Sequence, residues 1–464
     1  MNQGISAQTT PRPLTHFTPP KDWINDPNGL VLFNDLWHLF YQYQPGGRAG
    51  KHWGHAVSRD LIGWEDWPVA LWPDELGEIW SGSCVIDWNN SSSFFPDEPG
   101  LVAIFTHRQE TADGEKQSQS LAFSRDEGRT WTKFAGNPVL ESERSDFRDP
   151  KVFWHAPTQS WIMIVAAGSE AQLYRSPDLQ TWTYASCFGA EQTHGLVWEC
   201  PDLFALRDEQ NREIWILISS FLDRRNFEGS FQDCFAAYFA GDFDGFSFSP
   251  HANGPSGGTR LSFGPDDYAP VSFAGAPDNR RILMGWLNHW GYAGHMGTAP
   301  WQGQMTLPRE LLWRDGALVQ TLPLEWDNAK PAARVSLDHN KKASVSADSW
   351  ELVLAEDAQQ GSWVLEATRN EQLVFSLRRD AARNVWAMQR AASSVPLALA
   401  AKTGGEAFWT TRYEAPLKSE GELRVIVDRC SVEAFCDGGR TLFCLQIFPP
   451  QGEWHLRLSE PNDE

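Results

Sequence analysis

A degenerate repeat is the feature of this sequence that most constrains its fold. Its copies lie at residues 58–64, 124–131 and 176–182, with a fainter copy at 241–248. Each copy follows a β-like run, passes through a polar turn that contains aspartate, and ends in an aromatic residue that starts another run. A spacing of roughly 50 to 70 residues is about the length of one four-stranded blade. Four copies and a segment that closes the ring predict a five-bladed β-propeller.

Beyond about residue 320 the sequence pattern changes. Residues 321–328 are typical of a linker, and the following 130 or so residues contain roughly seven alternating strands, which favours a β-sandwich. Segments with helical periodicity are short or absent along the chain. The sequence therefore predicts an all-β protein with two domains, a propeller in residues 1–322 and a linker with a sandwich in residues 323–464.

Charge and composition exclude several classes of partner. The 464 residues include 39 basic and 60 acidic ones, for a net charge of −21, and no basic block interrupts the acidic excess. Nucleic acid and anionic membranes require a concentrated basic face, so neither is expected as a partner. Since uninterrupted apolar runs fall short of the eighteen or so residues of a membrane span, a membrane protein is not expected either.

Cysteine usage and the amino terminus suggest a compartment. Seven cysteines without a CxxC pair indicate neither a disulfide framework nor a zinc site, and we expect no metal and no cofactor. The first residues lack a basic start followed by an apolar run, so we expect a cytoplasmic protein, although a secreted form without its signal would look the same. The 24 tryptophans favour a carbohydrate ligand, because indole faces stack on sugar rings.

Three carboxylates lie in restricted surroundings. Asp26 belongs to residues 23–30, where Asn-Asp-Pro-Asn-Gly predicts a rigid turn before a strand, with a partly buried carboxylate. Asp149 is flanked by Arg148 and Lys151, cations that should lower its pKa and keep it ionised. Glu199 lies between Trp198 and a Cys-Pro pair, apolar neighbours that should raise its pKa and make it the candidate proton donor.

Each of these acids alone is equally well explained as a turn cap or a salt-bridge partner. Their combination changes that interpretation. The innermost strand of every propeller blade lines the axis, so carboxylates that open different blades can converge on one pocket. An ionised and a protonated carboxyl group on either side of a sugar ring are what glycoside hydrolysis requires.

Residues 23–30, 147–152 and 198–204 resemble the three signature blocks of glycoside hydrolase family 32, the invertases, levanases and inulinases. Residues 41–43, 53–58, 80–83 and 427–435 extend the resemblance over nearly the whole chain. It implies a five-bladed propeller followed by a β-sandwich. It also implies Asp26 as nucleophile, Glu199 as general acid and then base, and Asp149 with Arg148 as the clamp on the fructose hydroxyls. Retention would require about 5 to 5.5 Å between the two reacting carboxyl groups.

The resemblance further implies a fructose pocket. Its matching positions are Asn25, Gln42, Trp53, Trp80, Ser81 and Trp286, of which Trp53 and Trp286 are equally well explained as wall packing. Residues 284–290 and 300–310 resemble the levanase and exo-inulinase branch, which implies exo-acting release of terminal fructose. The loop at 45–52 lacks a tryptophan that relatives often carry, and Ser262 stands where the family usually has aspartate, so leaving-group preference stays open.

The function predicted from these residues is a retaining, exo-acting β-fructofuranosidase. Sucrose, fructo-oligosaccharides, inulin and levan all remain open as preferred substrates, and a homo-oligomer is compatible with the sequence. Three alternatives stay open. The first is a fructosyltransferase with the same chemistry, the second a non-catalytic carbohydrate-binding propeller, and the third an arabinan- or xylan-cleaving propeller that also uses three acids.

Overall fold

The computed structural model describes residues 11–47, 50–96, 98–112, 114–144, 146–189, 196–223, 234–252, 254–255, 257–296, 298–392, 395, 409–418 and 421–461. Up to residue 321 this described part contains five mainly antiparallel sheets in chain order. Sheet 1 consists of β1 (Asp22–Phe33), β2 (Leu36–Gln44), β3 (His52–Ser58) and β4 (Trp64–Leu71). Sheet 2 consists of β5 (Glu78–Asp87), β6 (Gly100–Thr111), β7 (Gly114–Ser124), β8 (Thr132–Lys133) and β9 (Leu140–Glu141).

The other three sheets repeat this plan. Sheet 3 consists of β10 (Phe147–His155), β11 (Ser160–Ala167), β12 (Ala171–Ser176) and β13 (Thr183–Phe188). Sheet 4 consists of β14 (Val197–Arg207), β15 (Glu213–Leu222), β16 (Cys234–Phe243), β17 (Phe248–Pro250) and β18 (Thr259–Arg260). Sheet 5 consists of β19 (Tyr268–Ser272), β20 (Ile282–Trp286), β22 (Arg309–Arg314) and β23 (Ala317–Thr321), while β21 (Trp301–Gln302) pairs in parallel with β1.

The first strands of the five sheets contact one another in a closed ring. β1 lies against β5, β5 against β10, β10 against β14, β14 against β19, and β19 again against β1. Each following strand lies farther from this ring, because consecutive strands pair within their own sheet. The sheets are therefore arranged radially around an axis, and side chains from all five first strands can meet there.

The repeat predicted from the sequence marks the connection between the third and fourth strands of sheets 1 to 4. In sheet 1 the carboxylate of Asp60 accepts hydrogen bonds from the backbone N–H groups of Ile62 (2.9 Å) and Gly63 (2.7 Å). The indole of Trp64 then donates to the Leu61 carbonyl at 3.1 Å. Asp178 and Trp182 form the same arrangement in sheet 3. The copies in sheets 1 to 3 are thus aspartate-capped turns closed by an indole hydrogen bond, whereas in sheet 4 Asp244 caps the turn and a phenylalanine replaces the tryptophan.

One local prediction was wrong. Residues 23–30 do not form a turn, since β1 runs through them and is only interrupted by bulges after Ile24 and Asn28. The residue types that favour turns also favour a β-bulge, where one strand carries an unpaired residue. The predicted linker at residues 321–328 contains α1 (Leu324–Ala329), whose Trp326 is buried.

The described residues beyond α1 form two packed sheets. Their strands are β24 (Ala333–Val335), β25 (Lys342–Val345), β26 (Ser349–Leu354), β27 (Trp363–Arg369), β28 (Gln372–Asp380), β29 (Val385–Arg390), β30 (Arg412–Pro416), β31 (Leu423–Asp428), β32 (Ser431–Cys436), β33 (Thr441–Gln446) and β34 (Trp454–Ser459). One sheet has the order β24-β26-β31-β32-β33 and the other β25-β34-β27-β28-β29-β30. A single apolar cluster fills the space between them. No helix among the described residues is long and apolar enough to cross a membrane.

Candidate active site

All five first strands carry a register irregularity at the same level of the ring. The shifts occur after Ile24, Ile79, Arg148, Glu199 and Tyr268. In three strands a proline lies within the irregularity, preceded by Asp149, Cys200 and Ala269, and in β1 the irregularity ends at Pro27, which follows Asp26. A bulge re-aims the side chains beside it, so residues of five strands point at one place on the axis.

Asp26 is partly buried and its carboxylate is held from three directions. Asn25 Nδ2 donates to Asp26 Oδ1 at 3.0 Å, and Ser81 Oγ donates to Oδ2 at 2.8 Å. The thiol of Cys200 lies 3.6 Å from the same Oδ2. These donors fix the orientation of the carboxylate.

Asp149 is buried beside Asp26 at the bulge of β10. The backbone N–H of Cys200 donates to Asp149 Oδ2 at 3.0 Å, and the Cys200 thiol lies 3.6 Å from that oxygen. The thiol therefore lies between two carboxylates, one from sheet 1 and one from sheet 3. Burial and these negative neighbours raise the pKa of Cys200 well above that of a free thiol, so it acts as a neutral donor.

The prediction of a lowered pKa for Asp149 was wrong. Burial, together with the charges of Glu199 and Asp26, raises its pKa to about 7, although Arg148 opposes the shift. The guanidinium of Arg148 lies 3.8 Å from Asp149 Oδ2, but it makes shorter contacts with Asp146 (2.6 Å) and Glu199 (2.8 Å). The cation next to Asp149 in sequence is thus shared among three carboxylates.

Glu199 also has surroundings that differ from the prediction. Trp198 points to the opposite face of β14, where its ring packs on Phe221 at 4.9 Å. The Glu199 carboxylate instead accepts a hydrogen bond from Arg148 Nη2 at 2.8 Å on one oxygen and from the Tyr268 hydroxyl on the other. Side chains alternate along a strand, so Trp198 does not lie beside the Glu199 carboxylate.

The remaining predicted pocket residues differ in how deeply they are buried. Trp80 is half-buried beside the acids, and Gln42 is buried, donating to Asn28 Oδ1 (2.8 Å) and to the Ile79 carbonyl (3.1 Å). Trp53 and Trp286 are fully buried. The Trp53 indole donates to the Trp80 carbonyl at 2.9 Å, so it forms the wall behind Trp80. Direct sugar contact by Trp53 or Trp286 stays a prediction.

Three residues at the site were not singled out from the sequence, namely Cys200, Tyr268 and Lys51. The Xaa-Pro pair that recurs in the first strands of four of the five sheets is a signal that would have identified Cys200 and the Tyr268-Ala269 step. Lys51 has no such signal, because its contact with Asn25 Oδ1 at 2.9 Å depends on how β3 faces β1.

Below the acids, a small cavity continues along the axis. The bulge residues Pro27, Ser81, Asp149, Pro150, Cys200 and Pro201 contribute to its wall. Its space of about 10 Å³ is enough for one water molecule. Among the described residues of the site, Lys51, Trp80 and Glu199 retain partial exposure, whereas Asp149 and Cys200 are buried. Convergent carboxyl groups with one shared cation are suited to acid-base and covalent chemistry at an acetal carbon.

Family profiles match both parts of the chain. The profile of the glycosyl hydrolases family 32 N-terminal domain matches residues 16–322, and that of the family 32 C terminal matches residues 325–463. A levanase of Bacillus subtilis (strain 168) is 39% identical over 482 residues, covering 97% of this chain and 68% of the relative.

Two solved structures are similar over nearly their whole length. An exo-inulinase from Aspergillus awamori has a TM-score of 0.82 and 31% identity, covering 98% of this chain and 96% of its own. A β-fructofuranosidase from Schwanniomyces occidentalis, complexed with fructosyl-erythritol, has a TM-score of 0.82 and 27% identity, covering 99% and 96%. The two profile matches together span almost all of this sequence, and the chain belongs to glycoside hydrolase family 32.

Proposed function

We propose that this glycoside hydrolase is a retaining, exo-acting β-fructofuranosidase that releases terminal fructose from sucrose, fructo-oligosaccharides or fructans. The observation that carries the proposal is the convergence of Asp26, Asp149 and Glu199, with Cys200 within 3.6 Å of the first two and Arg148 within 2.8 Å of the third. The levanase, exo-inulinase and β-fructofuranosidase relatives support the fructosyl group as the substrate class.

In the first step Asp26 attacks the anomeric carbon of a terminal fructosyl unit. A carboxylate oxygen forms an ester bond to that carbon while the bond to the leaving oxygen breaks. Glu199 gives its proton to the leaving oxygen, so that the departing sugar leaves as a neutral alcohol. Ser81 and Asn25 hold Asp26 in place during the attack, which removes the entropic cost of orienting a free carboxylate.

In the second step Glu199, now an anion, takes a proton from water as the water oxygen attacks the anomeric carbon. The ester bond breaks, Asp26 is regenerated, and two inversions give net retention. Arg148 favours the anionic form of Glu199, and the Tyr268 hydroxyl can donate to that anion or accept from the protonated acid. Asp149 faces the same pocket and, with Arg148, would bind the fructose hydroxyls, contacts that become stronger as positive charge develops on the sugar ring.

We further propose that residues 1–322 form a five-bladed propeller and that residues 323–464 comprise the connecting helix and the β-sandwich. The closed ring of five first strands and the parallel pairing of β21 with β1 support this assignment. Cytoplasmic location stays a prediction, and detection of the native protein in the soluble lysate of washed cells but not in the culture fluid would be consistent with it.

Initial rates on sucrose, 1-kestose, inulin and levan test the proposed activity. Asp26→Ala should lower kcat by about 10⁴-fold or more and Glu199→Gln by about 10²- to 10⁴-fold. Asp178→Asn serves as the matched control, since this carboxylate caps a turn at the far end of sheet 3, and it should retain wild-type rates. Near wild-type turnover in Asp26→Ala would refute the assigned nucleophile. Methanolysis should give the methyl β-fructofuranoside, and the α product would refute retention.

Transfer to another sugar is the competing outcome of the same chemistry. At high sucrose concentration a hydrolase should release free fructose in step with glucose. A transferase would instead produce trisaccharide and leave fructose well below glucose. The ratio of the two monosaccharides, measured as sucrose concentration is increased, therefore separates the two functions.

A further inference from the structure

Lys51 lies at the open side of the pocket and reaches the site from sheet 1. It immediately precedes β3, and its ammonium donates to Asn25 Oδ1 at 2.9 Å. The ammonium also lies 6.0 Å from the ring centroid of Trp80 and 5.6 Å from that of Trp290. Two aromatic rings and one amide therefore hold this cation at a defined position.

The contact with Asn25 determines which way its amide points. Asn25 Oδ1 accepts from both Lys51 Nζ and Trp23 Nε1, the second at 3.0 Å, while Asn25 Nδ2 donates to Asp26 Oδ1 at 3.0 Å. A flipped amide would place its oxygen against the Asp26 carboxylate and its NH₂ group against two donors. Two donors on one side thus ensure that a donor faces the nucleophile.

The charge of Lys51 acts on the same carboxylate. Burial lowers the pKa of Lys51, while the charges of Asp26, Glu199, Glu78 and Asp149 oppose this and favour the ammonium form. Arg148, the other cation of the site, is committed to Asp146 and Glu199 at 2.6 and 2.8 Å. Lys51 is therefore the cation on the Asn25 side of Asp26, and it is linked to Asp26 by one intervening amide.

We propose that Lys51 is a positioning residue for the nucleophile, which acts through Asn25 to orient Asp26 and to favour its anionic form. This role rests on the proposed function, in which Asp26 attacks the anomeric carbon. A cation that acts in this way contributes to the chemical step. A cation that only touched the leaving sugar would contribute to substrate binding.

Four proteins test this role by the pH dependence of kcat/KM on sucrose. Lys51→Met removes both the charge and the hydrogen bond, so kcat should fall ten- to a hundred-fold, the loss expected for one charge-assisted hydrogen bond. The acidic limb of the profile should move to higher pH, because an anion without its cation is protonated more easily. Lys51→Arg keeps the charge and should restore most of kcat and the original limb.

Trp23→Phe provides the matched comparison. It removes the other hydrogen bond to Asn25 Oδ1 and leaves the charge in place, so kcat should fall while the acidic limb stays where it is in the wild type. Tryptophan fluorescence during urea unfolding checks that each variant is folded. If Lys51→Met does not fold, kcat and the acidic limb are compared between Lys51→Arg and the wild type.

The outcomes separate the two proposals. If wild type releases fructose and Lys51→Met changes only KM, or leaves the acidic limb unmoved, the positioning role is wrong while the proposed function stands. If Lys51→Met does not fold, the test rests on Lys51→Arg. A wild-type kcat and an unmoved acidic limb of the pH profile in Lys51→Arg then support the requirement for a positive charge. A shifted acidic limb in Lys51→Arg overturns it. If wild type releases no fructose from any of the four sugars, both proposals fall.

Discussion

His16 should make the stability of this protein depend on pH in the alkaline range. Its ring lies fully buried between two carboxylates of the sandwich, with Nδ1 3.0 Å from Asp428 Oδ2 and Nε2 2.9 Å from Glu433 Oε1. Asp428 Oδ2 also accepts from the Thr15 N–H at 2.7 Å, and Glu433 Oε1 accepts from the Leu307 N–H at 2.8 Å. The ring therefore connects the amino-terminal segment, the propeller side and the sandwich through one pair of charges.

The size of this contribution to the free energy of unfolding follows from the pKa of the His16 ring. Burial alone would lower it, but the hydrogen bonds and charges of Asp428 and Glu433 outweigh burial and raise the pKa of His16 from 6.5 to about 9. The folded protein thus holds this proton more tightly than the unfolded chain. At 1.36 kcal/mol per pKa unit the difference stabilises the fold by about 3 kcal/mol. This stabilisation is fully present below pH 6.5 and is lost as the pH rises through about 9.

Urea unfolding at 25 °C, followed by tryptophan fluorescence, measures the effect. We expect the stability difference between wild type and His16→Gln to shrink by about 3 kcal/mol between pH 6 and pH 10. His251→Gln is the control, because His251 pairs with Asp242 at 3.6 Å at an exposed position, where ion pairs contribute less than about 1 kcal/mol. If wild type and His16→Gln differ by the same free energy of unfolding at pH 6 and at pH 10, His16 is not charged between Asp428 and Glu433, and the reasoning is refuted.

Three further predictions concern the site and its support. Tyr268→Phe removes the hydroxyl that donates to Glu199, so kcat on sucrose should fall about tenfold with little change in unfolding midpoint. An unchanged kcat would contradict a role for this contact. Gly82→Ala places a methyl group 2.1 Å from the Ile104 carbonyl oxygen and should destabilise the fold by about 1–3 kcal/mol, whereas Gly257→Ala, which meets no atom within 4 Å, should be close to neutral. Equal midpoints would contradict the close approach of β5 and β6. Trp409→Ala removes the sandwich ring that lies 4.2 Å from Tyr292, in the loop that carries Trp290, so KM should rise severalfold. Trp350→Ala, in the sandwich core, should cost comparable stability but leave KM unchanged, and a KM effect of equal size in both would refute the link.

The order of strands was predictable because its signals are local. Ser58 donates to Asp60 and Trp64 donates to the Leu61 carbonyl within a single turn, and related turns recur in sheets 2 to 4. The convergence of Asp26, Asp149 and Glu199 was predictable for a related reason. Each lies at the start of a sheet, and a radial arrangement places all such positions near the axis.

The electrostatics of the site were not predictable from neighbours in sequence. Lys151 follows Asp149 by two residues, yet its ammonium is 3.3 Å from Asp202 and donates to the Ser272 carbonyl. Arg148 was expected to keep Asp149 ionised, but its guanidinium group makes its short contacts with Asp146 and Glu199. Which charges compensate one another depends on the faces of neighbouring strands, and sequence adjacency carries no information on that.

The bulges of the five first strands explain how consecutive residues can serve one pocket. In a regular strand Arg148 and Asp149 would point to opposite faces. At the bulge Asp149 has a φ of 65° and Cys200 a φ of 47°, and the proline that follows each has no N–H to leave unpaired. Two sets of side chains result. The residues next to each proline or to Gly82 form an inner set around the axis, composed of Asp26, Ser81, Asp149, Cys200 and Ala269.

The residues one position earlier form an outer set, composed of Asn25, Trp80, Arg148, Glu199 and Tyr268. Within the inner set Asp26 contacts both Ser81 and Cys200, and within the outer set Glu199 contacts both Arg148 and Tyr268. The proposed nucleophile and the proposed proton donor thus belong to different sets. The irregularities of the five first strands therefore bring both carboxyl groups of the proposed double displacement to one site, and the residues that each sheet places beside its irregularity determine the chemistry that is available there.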